Sequence, residues 1–321
     1  MAHEEEGLAQ VHQLLLDYGA DGAKVFAGTK LERQCLDAAA AVMSDERFEM
    51  NLLHSGFALT ALPHRNTKEV IWQRTGGASG EVTLHVESGY GTDKQPYGIP
   101  YGSIARLILI HLSTEAVRNN SRVVELGSSM RAFLKRMGVT PGGKTFTLVR
   151  DQSRRISMCR LTFFNKRGRD TLVNKGSFVK NAVFVDGNDL DGRDPFQDTV
   201  ELDDAFFESL KEHPLPLRES AIKQLAGKST ALDLYVFLSY RLHVLPRATP
   251  VSWKSLYQQF GAGCSTQKAF VSNIKDPLTL ALAVYPEAKV EVQEQGLILH
   301  PSDSPVPKTL PRSANFRLVT S

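Results

Sequence analysis

The sequence is poor in the features that announce most biochemical classes. Its three cysteines, Cys35, Cys159 and Cys264, lie far apart with no C-x-x-C pair, which excludes a disulfide scaffold and a cysteine zinc site. Nine histidines form no H-x-H or H-E-x-x-H spacing, so no metal is expected. No uncharged apolar run approaches the ~18 residues that span a bilayer, which argues against a membrane protein. The opening MAHEEEG is acidic, unlike a secretory signal or transit peptide, and a reducing cytoplasm is the expected setting. No nucleophile–base pair stands out, so neither an enzyme nor a cofactor is expected.

A net charge of +3 over 321 residues is small, but the charge is unevenly spread. Residues 1–99 carry −6, 100–140 carry +4, 141–180 carry +8, 181–213 carry −8 and 214–321 carry +5. Two basic blocks flank an acidic one. A local surplus of this size points to a polyanion partner. Charge alone leaves open a second reading, in which the acidic and basic faces pair with each other.

Periodicity divides the chain further. Residues 1–50 read as helical, with Val11, Leu14, Leu15 and Tyr18 at helical spacing and a second pattern over Leu31–Met43. VIWQ and EVTLHVES read as strands about a Gly-rich turn, and GYGTDKQPYGIPYGS as a loop. Ser103 then opens an apolar helix, RVVEL is a short strand, and Ser128 or Ser129 caps a helix carrying Met130, Phe133, Leu134 and Met137. A helix over 145–156 follows, with Thr147, Arg150, Asp151 and Arg154 on its outer face, and then the strand-like runs SMCRLTFF and SFVKNAVFV joined by the basic turn NKRGRD. Helix, strand, two helices and a basic hairpin is winged-helix order, with helix 145–156 in the reading position.

The order recurs. Ser229 is placed to cap a helix, TPV is extended, Ser252 opens WKSLYQQF, and Ser265 is a candidate cap for STQKAFVSNIK. Pro277 should kink or end that helix near Lys275, and VEVQEQGLILH closes the unit as a hairpin. The expected fold is therefore α+β: an N-terminal helical and β extension (1–95), a first winged-helix domain (96–188), an acidic linker (189–213), a second winged-helix domain (214–300) and a flexible tail (301–321).

Two motifs imitate enzymes. GVTPGGKT, Gly138 to Thr145, matches the phosphate-binding G-x-x-x-x-G-K-[ST], and AVFVD ending at Asp186 could pass for its acidic strand. A phosphate loop must follow a β-strand, however, and an amphipathic helix precedes Gly138. The pairs Asp203–Asp204 and Asp189/Asp191 read as solvated turns. His111 and His243 read as partly buried helix residues rather than ligands.

The strings PYGSIARLILIHLSTEAVRNNSRVVELGSSMRAFLKRMGV, LVRDQSRRI, EHPLPLRESAI, ALDLYVFLSYRLHVLPRATPVSWKSLYQQFG and AVYPEAKVEV resemble, in order, the bacterial plasmid replication initiator proteins. The resemblance covers roughly residues 60–305. It implies a sequence-specific protein that binds repeated double-stranded DNA at its plasmid's origin, helps recruit host replication proteins, and regulates copy number through a homodimer. The sequence departs from the family where DPL interrupts the second reading helix.

On these grounds the reading helices would enter major grooves about one turn, ~34 Å, apart. Arg150 and Arg154 are placed to read guanine and Gln267 adenine. Lys144, Thr145, Ser265 and Thr266 lie near helix N-termini that suit phosphate. Thr147, Lys254, Lys268, Ser272 and Lys275 complete the polar faces, and the wing's Lys166, Arg167 and Arg169 would hold the backbone. Arg155 and Arg160 are weaker candidates, able to face the acidic segment instead. A repressor of its own operon, using the same helices, and a P-loop ATPase are the alternatives.

Overall fold

The computed structural model describes residues 2–77, 82–125, 127–140, 142–167, 170–182 and 199–307. The described residues form two compact units: a split unit, made of residues 2–50 and 216–307, and an inserted unit within Asn51–Leu215. The chain opens with α1 (Ala2–Ala23), broken at Gly19 where φ is 69°, and α2 (Lys30–Met43). The N-terminus of α2 is closed by a reciprocal capping box between Thr29 and Glu32. β1 (Met50–His54) carries the chain into the inserted unit.

There β2 (Ile71–Gly76) and β3 (Val82–Glu87) form the hairpin that the alternation predicts. α3 (Gly102–Arg118) follows and is the centre of this unit, buried without interruption from Ile104 to Thr114. Its apolar sides would be spoiled by Arg106 were the guanidinium not satisfied by the carbonyls of Leu62, Pro63 and Gly102. After β4 (Val123–Glu125), α4 (Gly127–Arg136) and α5 (Gly143–Met158) pack on or beside α3. α4 buries Met130, Phe133, Leu134 and, just past its end, Met137, at the predicted spacing. Gly138, at φ 70°, turns the chain out of the helix in a region that a side chain would strain.

β5 (Arg160–Arg167) and β6 (Asp170–Ser177) form a hairpin at the predicted basic segment, but its second strand is DTLVNKGS rather than the predicted SFVKNAVFV, and NKR of the predicted turn is part of β5. They do not stand alone: β5 pairs with β3, giving an antiparallel sheet of order β2-β3-β5-β6 whose inner side buries Trp72, Leu84, Val86, Leu161 and Phe163. β7 (Val179–Ala182), β8 (Thr199–Leu202) and β4 make a second sheet with β8 in the middle. β8 and α6 (Asp204–Glu212) come from the acidic segment and are built into this unit. Arg122 and Lys180 both ion-pair with Glu201 and Asp204, so part of the acidic charge is met by basic residues of β7 and the approach to β4.

β9 (Pro214–Arg218) returns the chain to the split unit, followed by α7 (Glu219–Leu225), α8 (Ser229–Arg241), β10 (Thr249–Ser252), α9 (Trp253–Phe260), α10 (Gln267–Ala283), β11 (Val290–Gln293) and β12 (Gly296–Leu299). α8 is the buried core helix, with every residue from Ala231 to Ser239 enclosed. β10, β12 and β11 form an antiparallel sheet in that order. α2 and α8 both pack against α10, and His12 Nε2 lies 2.9 Å from the Ala283 carbonyl oxygen.

Several local expectations need correction. Ser229 does not cap α8; the cap position is Lys228, with no side-chain bond. Ser265 does not cap α10; Thr266 does, accepting from the Ala269 N–H. α10 does not end near Lys275 but runs through Pro277 to Ala283. Pro277 forfeits one helical hydrogen bond, yet Leu278, Leu280, Ala281, Leu282 and Ala283 are all buried beyond it, and that burial outweighs one lost bond. His243 is exposed rather than partly buried, its Nδ1 2.8 Å from the Ser239 carbonyl. Residues 301–307 are not loose: Tyr285 Oη donates to the Asp303 carbonyl, Arg218 Nε to the Pro305 carbonyl, and Val306 is buried.

Candidate nucleic-acid interface

In the inserted unit, α5 is amphipathic. Val149, Gln152, Ser153 and Ile156 face inward, and Lys144 and Thr147 are exposed while Arg150 and Arg154 are half-buried. Arg150 and Arg154 stand one turn apart, as their spacing requires. The N-terminal cap of α5 is Gly142, which supplies no side-chain acceptor, so the first-turn amides are not closed off by a cap. Thr145 and Thr147 use their hydroxyl hydrogens internally, on the Thr140 and Gly143 carbonyls, leaving oxygen lone pairs as their outward function.

Arg155 belongs to the scaffold. Its Nε is 3.0 Å from both Asp151 carboxylate oxygens, its Nη1 donates to the Ile99 carbonyl and to Asn66, and it lies over the Tyr101 ring. Beside it, Gln152 is fully buried and accepts the Tyr101 N–H at 2.7 Å. These contacts tie α5 to the Gly/Pro/Tyr-rich loop, which the sequence marked only as a connector. Arg160 is exposed at the start of β5. Lys166 and Arg167 fall on β5, but their side chains lie outside the described residues, as do Arg169, Asp186, Asp189 and Asp191. Ser128 and Ser129 are not caps: α4 already begins at Gly127 and both lie within it.

Sequence reasoning passed over α4. Arg131, Lys135 and Arg136 are exposed on it, and the Arg131 guanidinium sits 5.7 Å from the ring of Phe146 in the first turn of α5. The signal was available, since these three are the charged residues left outside the Met130–Phe133–Leu134–Met137 stripe. Inside, burial and then the positive charges of Arg136 and Arg118 push the pKa of His111 down to about 3, so it is a neutral core residue.

In the split unit, Ser265, Thr266, Gln267, Lys268, Ser272 and Lys275 are all exposed along the first half of α10, while Phe270 and Ile274 are buried beneath them. Lys254 is exposed on α9. Asn273 and Asp276, which the sequence reading did not select, are exposed on the same half. Pro277 therefore divides α10 by function: a polar half before it, a core half after it.

The GVTPGGKT segment joins α4 to α5, with no strand ahead of it, so the context that a phosphate loop needs is missing. Among the described residues no group of His, Cys, Asp and Glu could hold a metal ion, and no helix is long and apolar enough to cross a membrane.

Residues 99–254 match the family model described as plasmid encoded RepA protein. The chain is also similar to a crystal structure of a selenomethionine derivative of domains 2 and 3 of RctB. The two share 15% identity at a TM-score of 0.51, over 78% of this chain and 99% of that one. A second structure of the RctB domains 2–3 aligns at 13% identity and a TM-score of 0.45, over 75% of this chain and 93% of that one. No curated protein matches the chain. The RctB likeness supports a mixed α+β fold, and the matched segment contains the whole of α3, α4 and α5. The segment that holds α5 and its basic neighbours is thus similar to plasmid encoded RepA protein, in line with the resemblance of the sequence to the plasmid replication initiators.

Proposed function

We propose that the chain starts plasmid replication by binding directly repeated double-stranded DNA at its origin, and that it helps bring host replication proteins there. Each unit acts as a winged helix, with α5 and α10 as reading helices. The reading needs no catalysis and no cofactor, and its setting is the bacterial cytoplasm. The observation that carries it is the division of α10: exposed polar residues from Ser265 to Lys275, then burial beyond Pro277. A helix buried at its C-terminal end, whose N-terminal half keeps an exposed hydrophilic face over Phe270 and Ile274, is suited to enter a major groove N-terminus first.

Arg150 and Arg154 suit bidentate contacts to guanine, and Gln267 suits adenine. Lys144, Lys254, Lys268 and Lys275 suit phosphates, which position the protein without reading sequence. The wing of β5 and β6 adds backbone contacts.

The test is titration of the purified chain against a duplex carrying its plasmid's direct repeats and a scrambled duplex, at two salt concentrations. The reading requires a preference of ~10³-fold or more that persists at higher salt. Equal, steeply salt-dependent binding to both duplexes would leave only backbone electrostatics and end the proposal. Preference for inverted repeats in a promoter would instead make the chain a repressor.

A further inference from the structure

The strongest unexplained surface is the corner between α1 and α2. The single turn Lys24–Phe26 is pinned from below by Ala23 and Ala27, both buried. Lys24 Nζ is ion-paired with Asp37 at 2.8 Å, and the amides of Gly28 and Thr29 donate to Glu32. The turn is thus held from three sides, yet it points its apolar side chains outward. Val25 is 83% exposed, Leu16 69%, Phe26 56% and Tyr18 55%. The rings of Tyr18 and Phe26 pack together, with centroids 4.7 Å apart.

One exposed hydrophobe needs no explanation. Four large ones between residues 16 and 26, on a turn this well held, mark a surface that another molecule covers. Its charge narrows the choice. Residues 1–50 carry a net −6, and exposed Asp17 and Asp21 flank Tyr18 on either side in sequence. That sign repels nucleic acid. A two-fold contact with a second copy of the same corner would set Asp17 and Asp21 near their own counterparts, which is unfavourable.

We infer that this corner docks a segment of another protein that presents apolar side chains between lysines and arginines. The apolar anchors settle on Tyr18, Val25 and Phe26, and the basic flanks meet Asp17 and Asp21. The inference rests on the recruitment part of the proposed function, and it assigns that recruitment to a surface other than the DNA readers.

The experiment replaces Val25 with the photo-crosslinking residue p-benzoylphenylalanine in cells that maintain the plasmid. The crosslinked protein is identified and purified, and its affinity for the full chain is measured by titration. The expected result is an adduct to a Lys/Arg-rich segment of a host protein. The purified protein should then lose ~10-fold or more in affinity for Val25→Asp and for Asp21→Lys, and also weaken at raised salt. Because Val25 is exposed, Val25→Asp should leave the fold and binding to the repeat duplex unchanged. No adduct, an adduct to a second copy, an adduct to an acidic segment, or undiminished affinity of Val25→Asp would each overturn the inference. Failure of the wild-type chain to prefer the repeat duplex would instead strike the DNA-binding reading, so the two failures are separable.

Discussion

The two units repeat one order of elements, helix, strand, helix, helix, hairpin, and build it differently. In the split unit the strand and hairpin close on one another as β10-β12-β11, and the candidate reading helix runs on into the core. In the inserted unit β4 pairs with β8, the hairpin is widened by β2 and β3, and α5 is held from the side by Arg155 and Gln152. The same local pattern can therefore be stabilised by continuation of the helix or by added strands and a clamp. The two outward faces differ accordingly: arginines on α5, Gln, Ser and Lys on α10.

The largest expected effect tests the clamp. Arg155→Ala removes a side chain only 12% exposed, together with its ion pair to Asp151 and its bond to the Ile99 carbonyl. It should destabilise the inserted unit by ~2–4 kcal/mol in chemical denaturation and leave the split unit unaffected. An equal loss in both units would contradict the division into two compact bodies.

Acid should separate the units next. His54 and His111 lie in the inserted unit, with pKa values lowered to about 4 and about 3, chiefly by burial. The unfolded chain binds protons at these sites near pH 6.5 and the folded chain does not, so stability is full above that pH. It declines as pH falls through the window from about 6.5 to about 3, by an amount on the order of a few kcal/mol. Hydrogen exchange followed over this range should show α3 losing protection before α8. His54→Phe, stacked like the native ring between Phe163 and Phe206, should blunt the decline, less whatever is lost with the bond to Ser209.

Smaller effects compare the readers. Arg150→Ala should cost ~1–3 kcal/mol and relax preference at one base pair, as scored on a randomised set of duplexes, and Gln267→Ala should do so at a different pair. Lys144→Ala should weaken all duplexes alike and reduce the salt slope by ~0.9. If all three act alike, the distinction between reading and positioning residues fails.

The smallest effects concern the two helix starts. Thr266→Ala removes the cap of α10 and should cost ~1 kcal/mol. Gly142→Ser should add a cap to α5 and gain a few tenths, since a side chain at Gly142 meets open space. Thermal melts of both variants measure the pair.

What could be read without coordinates was whatever depends on neighbours in sequence. The partner of β5 was misplaced by one strand, whereas the amphipathic stripes of α4 and α5, the β2–β3 hairpin and the strand β5 all follow from periods of 3.6 and 2 and from turn residues. So did the outward placement of Arg150, Arg154, Lys268 and Ser272, because a buried stripe determines the face opposite it. The basic face of α4 was legible by the same logic and was overlooked.

Tertiary structure decided the rest, for one recurring reason. Pairing and burial depend on partners distant in the chain. Nothing near β4 says that its partner is β8, some seventy-five residues on. Nothing near Pro277 says that the helix beyond it will be buried and so hold together. Arg155 and Arg154 are equal in sequence and are separated only by which of them faces Ile99, Asn66 and Tyr101. The sequence by itself determined the amphipathic faces, the charge and the resemblance to a family; the structure decided which charged residues, Arg155 and Arg106 among them, are tied into the scaffold.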